Sequence, residues 1–282
     1  MGGVETVWLS IAACGASAFG GILGMASGIF IVPILVFLFG VSIHTAIGAS
    51  LVSVIACSCS SASPLLKERL TNIRLAIVLE TATTLGALSG VFLVGIIPTS
   101  YLYWLFAAIL VVSARQMLLR RREMAPTTER VSRSWATMLR LHASVPDEAR
   151  GAAPYIVGSV PIGLSLMYGA GLVSALLGIG SGVLKIPAMD TALRLPIKVS
   201  SATSNFMIGV TAAASAGAYF VRGDINTAIA GPVALGSVVG AIVGARMLTG
   251  LSGDKLRNIF VIVLVLLAIG MALGGFQAHL KT

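Results

Sequence analysis

The sequence predicts an all-α, polytopic membrane protein built from two inverted-topology repeats of about five transmembrane segments, each with a short broken helix. The observations behind this fold class are the composition, the lengths of the apolar runs and a repeated pattern of small residues. Of 282 residues, 57% are hydrophobic and 10% are charged, whereas about 25% of a soluble domain is charged. This composition excludes a soluble globule, a disordered chain and a disulfide scaffold.

Eight apolar runs are long enough to cross a hydrocarbon core, which takes about 20 residues of helix. They cover residues 5–26, 44–63, 74–97, 101–119, 155–177, 198–220, 226–248 and 257–276. Two further runs, 28–40 and 182–194, have 13 residues each, which makes roughly 20 Å of helix. Because a bilayer core is about 30 Å thick, we interpret these two runs as broken or half-depth helices.

A basic stretch, 122–153, separates a first transmembrane repeat (1–121) from a second (154–282). Within it, helical spacing places two sets of residues on opposite faces of a predicted helix. One face has Trp135, Met138, Leu139 and His142, and the other has Arg130, Arg133 and Arg140. Two interpretations stay open, a short helix on an anionic membrane surface and a solvated linker. Nucleic-acid binding is not expected, because positive charge in a membrane protein usually encodes orientation.

The second half repeats the small residues of the first at an offset of 154 positions. Gly15, Gly24, Ser27, Gly28, Pro33 and Ser50 fall on Gly169, Gly178, Ser181, Gly182, Pro187 and Ser204. Leu102 and Phe106 fall on Leu256 and Phe260. With a small change of register, Gly86 and Gly90 fall on Gly236 and Gly240. The sequence therefore predicts an internal repeat.

The distribution of Lys and Arg predicts the orientation, since basic loops stay in the cytoplasm. If the short segments count as crossings, each half has five spans, and the odd number inverts the second half. With the 122–153 loop inside, both termini lie outside and 16 of the 19 basic residues are cytoplasmic. The exceptions are Lys185, Arg222 and Lys281. Four spans in each half would place the Arg246–Arg257 loop outside, against the rule.

The two interruptions read GMASGIFIVP (24–33) and GIGSGVLKIP (178–187). Each contains a serine at an expected N-cap followed by a glycine that opens a short helix: Ser27–Gly28 and Ser181–Gly182. A helix N-terminus carries about half a positive charge and attracts an anion. Inverted repeats with paired broken helices are typical of transporters, whose site lies near the midplane. Alternatively, the glycines only allow close helix packing.

Lys185 lies three residues into the second short helix, where the repeat places Ile31 in the first. A lysine inside a membrane is costly, which makes it a candidate for a functional role. It could contact a bound anion or take up a proton during the cycle. The structural alternatives are snorkelling to an interface or a pair with Asp190 or Glu80. Both acids are also candidates for a coupling proton, alongside Lys185.

Neutral donors follow each short helix at the start of the next one. Ser50, Ser204 and Asn205 can donate hydrogen bonds to sulfonate or carboxylate oxygens. Ser50 and Ser204 occupy matched positions of the repeat. Any one hydroxyl can instead bond back to its own helix backbone.

The stretches GMASGIFIVPILVFLFGVSIHTAIGAS and GIGSGVLKIPAMDTALRLPIKVSSATS resemble the two signature stretches of the sulfite exporter TauE/SafE family, also called the toluene sulfonate uptake permease family. The resemblance covers nearly the whole chain. It implies a carrier in the bacterial inner membrane for sulfite, sulfoacetate, sulfonates or related organic anions. Lys185 departs from the family pattern, which has an apolar residue there.

Together these features predict a secondary transporter, not an enzyme, that exports a small organic anion by alternating access as one half rocks against the other. A proton or the membrane potential is the expected driving force, since one charge moved through 100 mV is worth about 2.3 kcal/mol. Neither a cofactor nor a metal is expected, and oligomerisation stays open. The alternatives are a passive anion channel, a membrane subunit of a larger complex, and an intramembrane hydrolase using Ser181 and Lys185.

Overall fold

In a computed structural model, the chain is almost entirely helical. The structure describes residues 3–23, 27–67, 70–94, 96–119, 135–145, 153–247 and 253–280. The first half contains α1 (Gly3–Leu23), α2 (Gly28–Leu38), α3 (Ile43–Lys67), α4 (Ile73–Val94) and α5 (Thr99–Leu119). The central stretch contains α6 (Trp135–Met138), β1 (Ala143–Val145) and β2 (Ala153–Tyr155). The second half contains α7 (Val160–Leu177), α8 (Gly182–Leu193), α9 (Ile197–Val221), α10 (Thr227–Met247) and α11 (Gly253–Leu280). The predicted all-α fold is confirmed.

Large apolar side chains cover the outside of the helix bundle. Phe92 on α4 is 80% exposed and Leu235 on α10 is 71% exposed, whereas soluble proteins rarely expose contiguous apolar surface. Within the part of the chain that the structure describes, four helices are long and apolar enough to cross a membrane: Ile43–Ala62, Ile73–Val94, Val160–Leu177 and Thr227–Gly244. Shorter apolar helices cover Gly28–Leu38, Thr99–Arg115 and Val261–Phe276. The chain is a multi-pass membrane protein.

The helices of the two halves begin at matching positions of the repeat. Four matched pairs of helices begin 154 residues apart: α2 and α8 at Gly28 and Gly182, α3 and α9 at Ile43 and Ile197, α4 and α10 at Ile73 and Thr227, α5 and α11 at Thr99 and Gly253. The turns that precede α4 and α10 also match, because the Asn72 carbonyl accepts from Ala76 N–H and the Asn226 carbonyl from Ala230 N–H. The boundaries 1–121, 122–153 and 154–282 stay predictions, since residues 120–134 and 146–152 lie outside the described ones.

The two halves interlock instead of standing side by side. Helix α1 of the first half packs along α10 of the second, and α4 of the first packs along α7 of the second. Helix α3 packs against its own counterpart α9, and α5 packs against its counterpart α11. Most of the large helix–helix contacts therefore join one half to the other.

Glycines make the closest contacts between α4 and α7 and between α1 and α10. These two pairs, called the crossed pairs below, match each other at the same offset of 154 residues. A Cβ on Gly86 would overlap the Tyr168 carbonyl, and one on Gly240 would overlap the Cys14 carbonyl. The same contacts recur one turn further along, between Gly90 and Leu172 and between Gly244 and Ala18. Tyr168 and Cys14 are 154 residues apart, as are Gly86 and Gly240. The predicted change of register, which matched Gly86 with Gly236, is therefore wrong. Glycines spaced four apart at 236, 240 and 244 made the sequence alignment ambiguous by one turn.

The central stretch forms neither a continuous surface helix nor an extended linker where it is described. Helix α6 has only four residues, and Arg140 follows it with a positive φ of 50°. Strands β1 and β2 then pair antiparallel, with Ala143 opposite Tyr155. The predicted partners Arg130 and Arg133 lie outside the described residues. Because β2 ends at Tyr155, the span predicted to begin at residue 155 begins instead at Val160.

Asn72, the residue before α4, joins the central hairpin to the N-terminal end of that helix. Its Nδ2 donates to the Leu141 carbonyl and to the Tyr155 hydroxyl, each at 2.9 Å. Its backbone N–H donates to Thr203 Oγ1 on α9 at 3.2 Å. Leu141 and Ala136 are buried in the same cluster as Leu75 of α4. Burial raises the pKa of the Tyr155 hydroxyl, against the opposing effect of the Asn72 hydrogen bond.

Two glycines of α7 test whether the crossed packing depends on the missing Cβ. A Cβ on Gly171 would overlap the Thr83 carbonyl of α4, whereas one on Gly169 would meet nothing within 4 Å. We expect Gly171→Ala to lower the free energy of unfolding by about 1–3 kcal/mol through overpacking. Gly169→Ala, on the same helix, should be neutral or slightly stabilising. Thermal unfolding in detergent measures both variants, and equal melting temperatures would contradict the role assigned to Gly171.

Candidate functional site

The first break lies between α1 and α2, where Ser27 occupies the N-cap position. The Ser27 carbonyl accepts hydrogen bonds from Phe30 N–H at 3.0 Å and Ile31 N–H at 3.1 Å. Its hydroxyl does not cap the helix. Instead, Ser27 Oγ lies 3.2 Å from Ser53 Oγ on α3, which lies 2.5 Å from Ser237 Oγ on α10. The N-terminus of α2 is therefore tied to two other helices through a row of fully buried hydroxyls.

The second break, between α7 and α8, is a run of left-handed backbone. Gly178, Gly180 and Ser181 have φ values of 65°, 74° and 53°. Glycine adopts this conformation without steric cost, which explains two of the three positions. Ser181 occupies the N-cap position of α8 without a side-chain cap bond. Its hydroxyl is buried and has no hydrogen-bond partner among the described residues.

The two breaks meet inside the protein. A Cβ on Gly28 would lie 2.5 Å from the Gly178 carbonyl oxygen and 2.7 Å from Ser50 Oγ. Ser50 Oγ donates to that same carbonyl at 2.8 Å. The start of α2 therefore lies directly against the last turn before α8, and Ser50 of α3 joins them.

The matched serine of the second half has a different environment. Ser204 on α9 is 154 residues from Ser50 and fully buried. Its hydroxyl has no hydrogen-bond partner in the part of the chain that the structure describes. The backbone carbonyl of the adjacent Asn205 accepts from Ser58 Oγ of α3 at 2.5 Å. The hydroxyls of Ser181 and Ser204, both without a partner among the described residues, thus lie in the second half of the chain.

Lys185 is paired with an acid. Its side chain is fully buried, and Nζ lies 3.0 Å from Glu80 Oε2 on α4. Nζ also donates to Thr211 Oγ1 on α9 at 2.6 Å. From the sequence, Glu80 and Asp190 were alternative partners for Lys185, and the distance of 3.0 Å between Lys185 Nζ and Glu80 Oε2 selects Glu80. Glu80 lies two turns into α4, which begins at Ile73, and Asp190 lies further along α8, outside this pair.

The predicted residues therefore fall into two neighbouring groups. Ser27, Gly28 and Ser50 surround the first break, and Ser181, Gly182 and Lys185 follow the second on one helix. Several participants were missed by sequence reasoning: Ser53, Thr211 and Ser237. The available signal was a polar residue in an otherwise apolar span, which does not by itself distinguish a network from a hydroxyl bonded to its own helix.

The Ser50 bond provides a test of the contact between the breaks. Ser50→Ala would leave the buried Gly178 carbonyl without this donor, which we expect to cost about 1–3 kcal/mol. Ser60→Ala on the same helix removes a hydroxyl that bonds only to the Ala56 carbonyl of its own helix, and should cost less. Thermal unfolding gives the stabilities, and amide hydrogen exchange at 178–182 localises the effect. Unchanged exchange in Ser50→Ala would contradict the role of this bond.

Comparison with known proteins agrees with this architecture. The chain is 24% identical over 261 residues to "Probable membrane transporter protein YunE" of Bacillus subtilis (strain 168), covering 89% of this chain and 92% of that protein. It is 25% identical over 226 residues to "Probable membrane transporter protein YdhB" of the same organism, covering 80% and 83%. No solved structure matches the chain. The family model described as sulfite exporter TauE/SafE matches residues 9–271, and the chain therefore belongs to this family of membrane transporters.

Proposed function

We propose that the protein is a secondary transporter that exports small organosulfur or other organic anions, such as sulfite, sulfoacetate or sulfonates. The observation that carries this proposal is the meeting of two interrupted helices at Gly28 and Gly178, deep inside an apolar bundle. Interrupted helices that meet near the midplane are the usual substrate site of transporters built from repeats. Membership of the TauE/SafE family supports the substrate class.

The anion site is proposed to lie at the N-termini of α2 and α8. Helix N-termini present N–H groups and a partial positive charge to an anion. Buried polar groups in native proteins are nearly always paired. The hydroxyls of Ser181 and Ser204 have no partner among the described residues, which makes them candidate donors to oxyanion oxygens. Ser27, Gly28, Ser50, Gly182 and Asn205 complete the proposed site. Lys185 supplies charge when its pairing with Glu80 is released.

Alternating access needs bodies that can move against each other. The crossed packing makes two such bodies, α1 with α10 and α4 with α7, each drawn from both halves of the sequence. We therefore propose that the pair α1 and α10 rocks against the pair α4 and α7 around the site. This motion replaces the one expected from the sequence, in which the first half of the chain rocks against the second. A proton or the membrane potential drives the motion.

The proposed location is the bacterial inner membrane, with both termini outside and the 122–153 loop in the cytoplasm. The excess of basic residues on the cytoplasmic side supports this orientation. A passive anion channel and a membrane subunit of a larger complex are the competing functions. The Ser–Lys hydrolase is disfavoured, because Lys185 Nζ bonds to Glu80 and Thr211 and Ser181 Oγ has no hydrogen-bond partner among the described residues.

Counterflow of labelled sulfite and sulfoacetate in proteoliposomes tests the proposed function. The native chain should show saturable exchange. The double variant Ser181→Ala/Ser204→Ala should bind substrate about tenfold or more weakly, since a hydrogen bond to a charged group is worth about 1.5–3 kcal/mol. Its stability should be unchanged, because neither hydroxyl has a protein partner among the described residues.

Ser215→Ala is the matched control on α9, since its hydroxyl bonds to the Thr211 carbonyl of its own helix. It should exchange both anions like the native chain. Lys185→Ala, compared in the same assay, separates a role in anion binding from a structural role. Absence of exchange by the folded native chain would favour the channel or the subunit and would count against the transporter.

A further inference from the structure

Lys185, Glu80 and Thr211 form a closed triad that joins α8, α4 and α9. Lys185 Nζ donates to Glu80 Oε2 at 3.0 Å and to Thr211 Oγ1 at 2.6 Å. Thr211 Oγ1 lies 2.5 Å from Glu80 Oε1 and donates to it. Each carboxylate oxygen of Glu80 therefore accepts from one member of the triad, and the ammonium group has no exposure to solvent.

We propose that this triad is a proton site coupled to the transported anion. When the anion takes the place of the Glu80 carboxylate beside Lys185, Glu80 binds one proton. When the anion leaves, Glu80 releases the proton and the ion pair re-forms. This inference rests on the proposed transport function and names the proton as the coupling ion. Because the anion and the proton then move in the same direction, the outward gradient of the anion drives export, and an inward proton gradient opposes it.

The fold does not require these polar groups. The 154-residue repeat places uncharged residues at the equivalent positions: Ile31 for Lys185, Ala234 for Glu80 and Cys57 for Thr211. Ile31 and Cys57 are buried like their counterparts, so the first half packs the same positions without a charge. Burying an ion pair where apolar residues fit is costly or at best neutral. A charged triad in only one of two equivalent places therefore indicates a role in function.

The triad lies next to the proposed anion site along two helices. Ser181 precedes Lys185 by four residues and occupies the N-cap position of α8. The Cα–Cβ bonds of a helix incline towards its N-terminus, which here is the break. Ser204 precedes Thr211 by two turns of α9, again on one face. The hydroxyls of Ser181 and Ser204, which have no hydrogen-bond partner among the described residues, thus lie within two turns of the triad along their helices.

Charge balance explains why a proton would accompany the anion. The Lys185–Glu80 pair is neutral, and a bound anion would give the buried site a net negative charge, which is unfavourable in a low dielectric. Protonation of Glu80 restores neutrality when the anion is a singly charged sulfonate and halves the net charge when it is the doubly charged sulfoacetate, leaving the Lys185 ammonium group to pair with the anion. The proton forms an O–H bond on a carboxylate oxygen, and no other covalent bond changes.

Glu80 is the more accessible member of the pair, and the proposal assigns the proton exchange to it. Its side chain is 11% exposed, whereas that of Lys185 is fully enclosed. Thr84, one turn further along α4 and only half-buried, also donates to Glu80 Oε1 at 3.3 Å. This hydroxyl extends the hydrogen-bonded path from the triad towards the outside of α4.

The surrounding helices present few other titratable groups. Helix α7 has no charged residue, and its Tyr168 hydroxyl donates to Ser89. On α9 the Tyr219 hydroxyl donates to the Ala175 carbonyl. The remaining charged residues of α4, α5, α8 and α9 are Arg74, Arg115, Asp190 and Lys198, and Arg194 and Arg222 are the C-caps of α8 and α9. None of these residues is a member of the triad, and Asp190 is the acid to compare with Glu80.

The test combines two measurements on the full chain with labelled sulfoacetate as the probe. In proteoliposomes with the potential clamped at zero, counterflow is compared with accumulation driven by a pH gradient. In weakly buffered detergent solution, proton uptake on sulfoacetate binding is measured with an indicator dye. The native chain should accumulate sulfoacetate on the alkaline side and take up about one proton for each anion bound.

Glu80→Gln mimics the protonated acid and should separate exchange from coupling. We expect counterflow within about threefold of the native rate, no accumulation driven by the pH gradient and no proton uptake. The matched control Asp190→Asn should keep both counterflow and accumulation. Retained coupling in Glu80→Gln, or its loss in Asp190→Asn alone, would overturn the assignment.

The native chain distinguishes failure of this inference from failure of the proposed function. Saturable counterflow without proton uptake would overturn the triad as a proton site and leave the transporter intact. Absence of counterflow would remove the transport function on which the inference rests. If Glu80→Gln does not fold because Lys185 is left uncompensated, the proton measurement on the native chain still decides, and Glu80→Asp should retain proton uptake.

Discussion

No side chain fits between Gly28 and the carbonyl of Gly178, and the centre of the protein is arranged around that contact. It brings the beginning of one short helix against the break that precedes the other. Ser50 fixes the contact by donating to the same carbonyl. Both short helices then begin inside the bundle, where their polar ends cannot reach bulk water. The glycine contacts of the crossed helix pairs hold the surrounding bundle close enough to maintain this arrangement.

Local signals in the sequence predicted the helices well, because apolar run length and glycine-rich interruptions determine where a membrane helix begins and ends. The two short helices begin at the predicted residues, Gly28 and Gly182. The site was predicted less completely, because its contacts join residues far apart in the chain. Glu80 and Lys185 are separated by 105 positions, and periodicity carries no information about such a pair. Asp190 is nearer in sequence, but five residues along a helix do not share a face.

The repeat explains what the two halves share, and the triad shows where they differ. Equivalent glycines, asparagine turns and helix starts recur at the fixed offset of 154 residues, so the two halves share one pattern of packing. The central hairpin was not predictable from helical spacing, because its position depends on Asn72 and on burial against α4. Among the described residues, in contrast, buried charge lies on one side of the pseudo-symmetric core, at Glu80 and Lys185. A symmetric scaffold can thus hold an asymmetric site.

The interlocked packing also bears on how the protein is made. Helices α1 and α4 belong to the first half, but their main partners, α10 and α7, belong to the second. During synthesis the first half enters the membrane before those partners exist, so its glycine-lined faces contact lipid or other proteins until α7 and α10 follow. Neither half has a complete set of helix contacts alone. The protein therefore reaches its native packing only when nearly the whole chain has been inserted, and a truncated chain leaves the same faces unsatisfied.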